Sequence, residues 1–337
     1  MPEIYKDYYN RDRKAKFINR NCFIRIGMVS KEYIKIEHIT KKFGGVKALD
    51  DVNLEIPQGS FFGIIGLSGS GKTTLMNMII SFWRPSMGKI SFGGVDVHKH
   101  RNFIVKKFGF ATQATSVYPL LTVEENMKYF GKMYGMRKRD IQRRTEVLLD
   151  LMHMTGTNHV LAKELSTGMM RRLDIACALI HNPKVLLLDE PTEDLDPVLR
   201  KELLALNKRI NDDGTTIIMT SHMLDEVETV CDQIAILHGG KLIANGSPEK
   251  LKEKYSKNEE IHIMTIPGKY DVLVKKFRKL AISNIVMKSK KVVLYAPDAS
   301  KILNEILSII SESREKIIDL RVNKPTMEEV FEYITKR

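Results

Sequence analysis

The 337-residue chain is poor in cysteine, with three, and has a single tryptophan. Cys22, Cys177 and Cys231 lie far apart and form no CxxC pair. That spacing excludes a zinc site built on paired thiolates and a disulfide framework. Cys177 and Cys231 have apolar neighbours and read as small core residues, in keeping with a reducing, cytoplasmic setting. No apolar run approaches the roughly 20 residues of a membrane-spanning helix. Val185-Leu186-Leu187-Leu188 is short and ends in carboxylates. No uninterrupted apolar stretch of signal-peptide length precedes the first strand, so no secretory signal is expected.

What remains is a soluble, globular composition, 43% hydrophobic and 28% charged, long enough for about two domains. The net charge of +13 admits three readings: nucleic-acid binding, an anionic membrane face nearby, or a solvated basic surface. Residues 1–30 include Lys6, Arg11, Arg13, Lys14, Lys16, Arg20 and Arg25. They are expected to be a disordered basic extension, or sequence upstream of a start at Met28. A tail touching lipid head groups or nucleic acid is the competing reading.

The most informative stretch is Gly66-Leu67-Ser68-Gly69-Ser70-Gly71-Lys72-Thr73-Thr74. An apolar strand, Phe61-Phe62-Gly63-Ile64-Ile65, precedes it, and a helix opening at Leu75-Met76-Asn77-Met78 follows. Strand, glycine-rich turn, Lys-Thr and helix make a phosphate-binding loop. Glycines let backbone N–H groups curl around phosphate oxygens, and the helix N-terminus adds donors and partial positive charge. Lys72 is placed for the β- and γ-phosphates and the Thr73 hydroxyl for Mg²⁺.

Other segments surround this loop with chemistry. Phe43, at the end of an alternating strand, reads either as a core residue or as a ring that stacks on an adenine. Phe108-Gly109-Phe110-Ala111-Thr112 reads as a strand ending at Gln113, whose amide can serve Mg²⁺ and the attacking water. Leu120 to Leu161 reads as a mostly helical insertion. Leu165-Ser166-Thr167-Gly168-Met169 opens another helix and is a second potential anion site, too far along the insertion to share a nucleotide with the first in one chain. Val185 to Leu188 is a buried strand closed by Asp189, suited to Mg²⁺ through its water shell, and Glu190, suited to orient or deprotonate water. Glu193-Asp194-Leu195-Asp196-Pro197 reads as a turn. His222 follows the β-branched strand Thr215–Thr220, where its ring can donate to a γ-phosphate.

As an ordered set over about residues 31–250, these motifs resemble the ATP-binding subunit of an ABC transporter. The phosphate loop matches at Gly66–Thr74, the Q-loop at Gln113 and the signature at Leu165–Met169. Walker B and the catalytic glutamate match at Asp189 and Glu190, the D-loop at Asp194–Asp196, the switch histidine at His222. Phe43 falls where the family has its adenine-stacking aromatic. The signature departs from Leu-Ser-Gly-Gly-Gln at Thr167 and Met169, a form that looks like exporter ATPases whose permease is a separate protein. Asp194 replaces a more usual D-loop glycine. The resemblance implies a P-loop NTPase cassette of α/β class over 31–255, with RecA-like core, antiparallel β subdomain and helical subdomain. It implies ATP and Mg²⁺ as ligands and Glu190, His222 and Gln113 as catalytic residues. Phe43, Gly66, Ser68, Gly69, Ser70, Gly71, Lys72, Thr73, Thr74, Ser166 and Gly168 would hold the nucleotide, and Thr73, Gln113 and Asp189 the metal. Two copies would sandwich two ATP molecules head to tail, each phosphate loop facing the other's Ser166–Gly168 turn. An integral membrane permease is the other implied partner, which puts the protein on the cytoplasmic face of the cell membrane.

Beyond a Lys/Glu/Asn-rich linker, residues 259–337 read as βαββαβ plus a final helix, a small ferredoxin-like α+β domain of accessory or regulatory role. Lys324-Pro325-Thr326-Met327-Glu328-Glu329-Val330-Phe331 resembles the terminal motif of drug- and antibiotic-exporter ATPases. A soluble ABC-type ATPase acting on nucleic acid or ribosomes is the alternative function. It lacks support here from the long heptad coiled coils or tandem cassettes of such relatives, so nucleic acid is not the expected partner.

Overall fold

The computed structural model describes residues 32–255, 259–288, 291–323 and 326–335. The basic arm expected over 1–30, Cys22 and Lys324-Pro325 of the terminal motif lie outside the described residues.

Strands β1 (Glu32–Phe43) and β2 (Val46–Pro57) open the fold. β2 alternates buried and exposed residues along its second half, the pattern of a strand with one wet face. β3 (Phe61–Ile65) is buried throughout, and helix α1 (Lys72–Ile79) follows it. A hairpin, β4 (Met87–Phe92) and β5 (Val95–Asp96), turns on Gly93-Gly94 as its sequence predicts. Helix α2 (Arg101–Val105) leads into β6 (Phe108–Ala111). The expected helical insertion is α3 (Val123–Met133) and α4 (Lys138–Leu151). Thr122 and Glu125 close a reciprocal capping box at the start of α3. There follow α5 (Thr167–Leu179), β7 (Val185–Asp189) and α6 (Pro197–Asp212). Next come β8 (Thr216–Ser221), α7 (Leu224–Val230), β9 (Gln233–His238), β10 (Lys241–Gly246) and α8 (Pro248–Tyr255).

These strands make two sheets. One is antiparallel, in the order β2-β1-β4-β5. The other runs β10-β9-β3-β8-β7-β6 and is parallel except for β10. The parallel strands read as continuous apolar runs because both their faces are buried. In β7, Leu186 and Leu188 enter one core with α3 and α5, while Val185 and Leu187 enter a second core around α1 and the antiparallel sheet. β3 splits the same way, Phe61 and Ile65 against Phe62 and Ile64. The period of two thus pins the strand register, since a slip of one residue would exchange the two cores.

The C-terminal segment comprises β11 (Glu259–Ile266), α9 (Tyr270–Phe277), β12 (Asn284–Lys288), β13 (Lys291–Ala296), α10 (Ala299–Glu312), β14 (Lys316–Asn323) and α11 (Met327–Thr335). Its sheet is antiparallel, ordered β12-β13-β11-β14. Ile261, Ile263, Val292 and Leu294 pack with Leu273, Phe277, Ile302 and Ile306 in a separate core, so α9 and α10 share one face of the sheet. This is the expected βαββαβ order. The final helix does not complete that sandwich. Met327, Val330, Phe331 and Ile334 form a stripe at helical spacing that joins the core of the preceding segment, against α8 and α7. The stripe needs an apolar partner, and α9 and α10 already cover the C-terminal core.

Candidate functional site

Four neighbouring parallel strands, β3, β8, β7 and β6, end on one edge of the six-stranded sheet. Each delivers predicted residues there: Gly66–Thr74 after β3, His222 after β8, Asp189 and Glu190 at β7, Gln113 after β6. Carboxyl ends of parallel strands are where open α/β sheets bind ligands. Strands stand only about 4.8 Å apart, so segments as far apart in sequence as Ile65 and Ser221 become neighbours.

They frame a cavity of about 540 Å³. Ser68, Gly69, Gly71, Lys72, Thr73, Thr74, Gln113, Glu190 and His222 line it. Gly66 and Ser70 lie behind the loop. A Cβ on Gly66 would meet Ser70 Oγ at 2.3 Å and the Leu237 carbonyl at 2.4 Å, so this close approach requires glycine. Gly71 caps α1 with φ +105°, and a Cβ there would meet the Ala48 carbonyl at 2.7 Å. The loop is thus a cradle whose tight backbone turns need glycine, with one cation at its floor. That chemistry fits a polyphosphate.

The cation is Lys72, 5% exposed. Its Nζ donates to the Gly66 and Leu67 carbonyls at 2.9 and 3.3 Å and stands 3.1 Å from Glu190 Oε1. The other Glu190 oxygen lies 2.7 Å from His222 Nδ1. Burial alone would raise the Glu190 carboxyl. The hydrogen bonds from His222 and Lys72, with the Lys72 charge, outweigh burial and hold it below the usual range. Glu190 sits at φ +46°, a conformation non-glycine residues rarely adopt, immediately after the buried strand. Thr220 fixes that turn: its hydroxyl accepts from the Glu190 N–H at 2.9 Å and donates to Asp189 Oδ1 at 2.5 Å.

Asp189 is 2% exposed and stands behind the cavity wall. Among the described residues, no three His, Cys, Asp or Glu are grouped to hold a cation unaided. Thr73 and Gln113 in the wall, with Asp189 behind, suit an ion held mainly by phosphate and water, as Mg²⁺ is. Phe43 also lies outside the cavity wall. It is 43% exposed, meets Trp83 edge-on at 5.1 Å and has the Lys41 ammonium 4.8 Å from its ring centre. Ser166 and Gly168 do not border this cavity. The Ser166 hydroxyl accepts from the Met169 N–H and caps α5, and Gly168 is pressed against Leu199.

Two residues escaped the sequence reading. Glu193 lines the cavity and accepts from Gln113 Nε2 at 2.6 Å. Arg171, buried in α5, donates to the carbonyls of Pro191, Thr112 and Glu190 at 2.9, 2.6 and 3.0 Å. It ties the signature helix to the strand ends carrying Gln113 and Glu190. Three carboxylates within five residues of a buried strand were the available signal for Glu193. For Arg171 the signal was a charge on the core side of a helix, legible only once the partner carbonyls are placed.

The sequence profile described as "ABC transporter" matches residues 49–193. The linearmycin resistance ATP-binding protein LnrL of Bacillus subtilis is 31% identical over 90% of this chain and 98% of its own length. The Nod factor export ATP-binding protein I of Rhizobium leguminosarum bv. viciae is 30% identical over 92% of this chain and 97% of its own. Among solved structures, a dimeric post-hydrolysis state of the ATP-binding cassette MJ0796 with ADP and Pi superposes with a TM-score of 0.58 at 30% identity. That match covers 64% of this chain and 98% of that one. One edge of a parallel sheet gathers the cradle, its lysine, a strained glutamate and a histidine, and relatives along nearly the whole chain carry the same assignment: the protein belongs to the ATP-binding cassette family of ABC transporters, ATPases coupled to transport.

Proposed function

We propose that this chain hydrolyses ATP to drive export through a separate membrane permease, with Glu190 as the base that activates water. The observation that carries the reading is the run of contacts Lys72–Glu190–His222 inside the phosphate cradle. On nucleotide binding, Lys72 exchanges Glu190 for phosphate oxygens. Glu190, still in contact with His222, is then free to take the proton of the attacking water. His222 steadies that carboxylate and presents its ring to the γ-phosphate. Thr73 and Gln113 would hold Mg²⁺ directly and Asp189 through water; the ion would neutralise charge developing on the phosphates. Phe43 would offer its ring face to the adenine once Lys41 moves aside.

Ser166 and Gly168 serve a second copy. A helix N-terminus that does not line the phosphate cavity of its own chain suits the γ-phosphate held by another, in a head-to-tail dimer. The exposed side chains Tyr118, Leu120 and Tyr129, near Gln113 and on the helical insertion, suit contact with permease helices. No helix among the described residues is long and apolar enough to cross a membrane, which fits a peripheral subunit held to the cytoplasmic face by its permease. Residues 259–337 act as an accessory domain anchored through α11. The names of the relatives, for resistance and export, favour transport over action on nucleic acid or ribosomes.

Glu190→Gln tests the chemistry. Turnover should fall by at least ~100-fold, the order of a general-base contribution; hydrolysis at the normal rate would refute the assignment. Gentle purification from membranes should bring down an integral membrane protein. Salt-sensitive, high-affinity binding to DNA or RNA with no such protein would favour the alternative.

A further inference from the structure

The turn after Glu190 reads as a connector in the sequence, yet it aims a third carboxylate into the nucleotide cavity. Its backbone is fixed at both ends. The Glu193 N–H donates to the Glu190 carbonyl at 3.2 Å, and the Pro191 carbonyl accepts from Arg171 at 2.9 Å. Thr192 donates to the buried Glu226 at 2.6 Å, Leu195 is buried, and Asp194 takes φ +62° between them. Gln113 is fixed from the opposite side, because Arg171 also holds the Thr112 carbonyl at 2.6 Å and the Gln113 carbonyl at 3.4 Å. The two side chains therefore meet from rigid supports, at 2.6 Å between Gln113 Nε2 and Glu193 Oε2.

The amide nitrogen donates and the carboxylate oxygen accepts, so this contact sets the Gln113 amide with its NH₂ toward Glu193. The amide oxygen is then the end left for a cation. We propose that Glu193 is a positioning residue for Mg²⁺ binding, holding Gln113 by its amide nitrogen so that its oxygen is presented to the metal. The inference rests on the reading of Gln113 as a metal ligand. Carboxylates that orient metal ligands in this way usually contribute 10- to 100-fold to metal affinity. A cation on the amide oxygen also polarises the N–H toward Glu193, so the two contacts strengthen each other.

The test is equilibrium ATP binding to the full chain by calorimetry, in EDTA and in saturating MgCl₂; the ratio of affinities is the gain from Mg²⁺. Glu193→Ser should cut that gain by about tenfold, with metal-free affinity nearly unchanged. Glu193→Gln, which keeps an oxygen acceptor, should recover part of it. Gln113→Ala should also lose the gain, and adding Glu193→Ser to it should cost nothing more. If Gln113→Ala loses the gain and Glu193→Ser does not, the role of Gln113 stands and the inference fails. If neither variant loses it, Gln113 is not a ligand and both fail. If Glu193→Ser costs as much in the Gln113→Ala background as alone, Glu193 acts on the ion directly, and the positioning role is wrong. Should Glu193→Ser also weaken metal-free binding, the ratio measured on Glu193→Gln decides.

Discussion

At the scale of single residues, the site depends on a few groups held in costly states. Lys72 is nearly buried and has three oxygen partners, so its removal leaves Glu190 without its main counter-charge. Lys72→Ala should weaken ATP binding by at least ~10-fold, the value of one or two charge-assisted contacts, measured by nucleotide titration. Retained tight affinity would contradict the phosphate role. Away from the cavity, burial raises the Asp174 carboxyl from 3.8 to about 6, despite the Ser116 N–H and Arg171. In that window the folded state binds more protons than the unfolded one, so this group's contribution to stability falls as pH rises from about 4 to 6. His181, buried against Tyr134, is lowered from 6.5 to about 4 and works in the opposite sense over the same window. Total stability therefore hides both. Asp174→Asn should expose them: stability of the variant, from denaturant melts at successive pH values, should rise more steeply with pH than that of the natural chain. Parallel curves would refute the buried acid. The residue types at the site were legible in the sequence because phosphate chemistry admits few substitutes for glycine, lysine and carboxylate. Glu193 and Arg171 were not, since their roles arise from partners 80 and 19 to 59 residues away.

At the scale of elements, alternation made the strands readable, and capping and turn signals bounded several helices. β7 could be recognised because a strand buried on both faces leaves almost no polar residue inside it, and β8 because its threonines and isoleucines are β-branched. The final helix was recognisable as a helix, but not by its partner. An amphipathic stripe specifies an apolar contact and not which of two cores supplies it. Here the supplier is α7 and α8, and α7 begins just after His222. Glu226 of α7 takes hydrogen bonds from Thr192 and Ser221, at 2.6 and 3.1 Å, on either side of the catalytic edge. Burial, together with the charge of Asp225 on α7, holds the Glu328 carboxyl of α11 above its usual range. Phe331→Ala should destabilise the full chain by about 3 kcal/mol, the usual cost of truncating a packed Phe, and should lower ATP turnover by loosening the support of His222. An unchanged denaturation midpoint would show that α11 does not belong to this core.

At the scale of the whole molecule, one chain holds a phosphate cradle and a helix N-terminus, Ser166–Gly168, that does not line the cradle's cavity. The sequence already implied this separation through the helical insertion between them, and the sheet topology explains it. β3, β8, β7 and β6 can bring only their own ends together, while α5 enters from the insertion side. The central claim is that ATP joins two copies and that Glu190 parts them by hydrolysis. The measurement that bears on it most directly is the mass of the Glu190→Gln protein by light scattering, with and without ATP. The account predicts a monomer alone and a stable particle of twice that mass with ATP, reverting when Ser166→Arg is added. A variant that binds ATP fully yet stays at the monomer mass would contradict it.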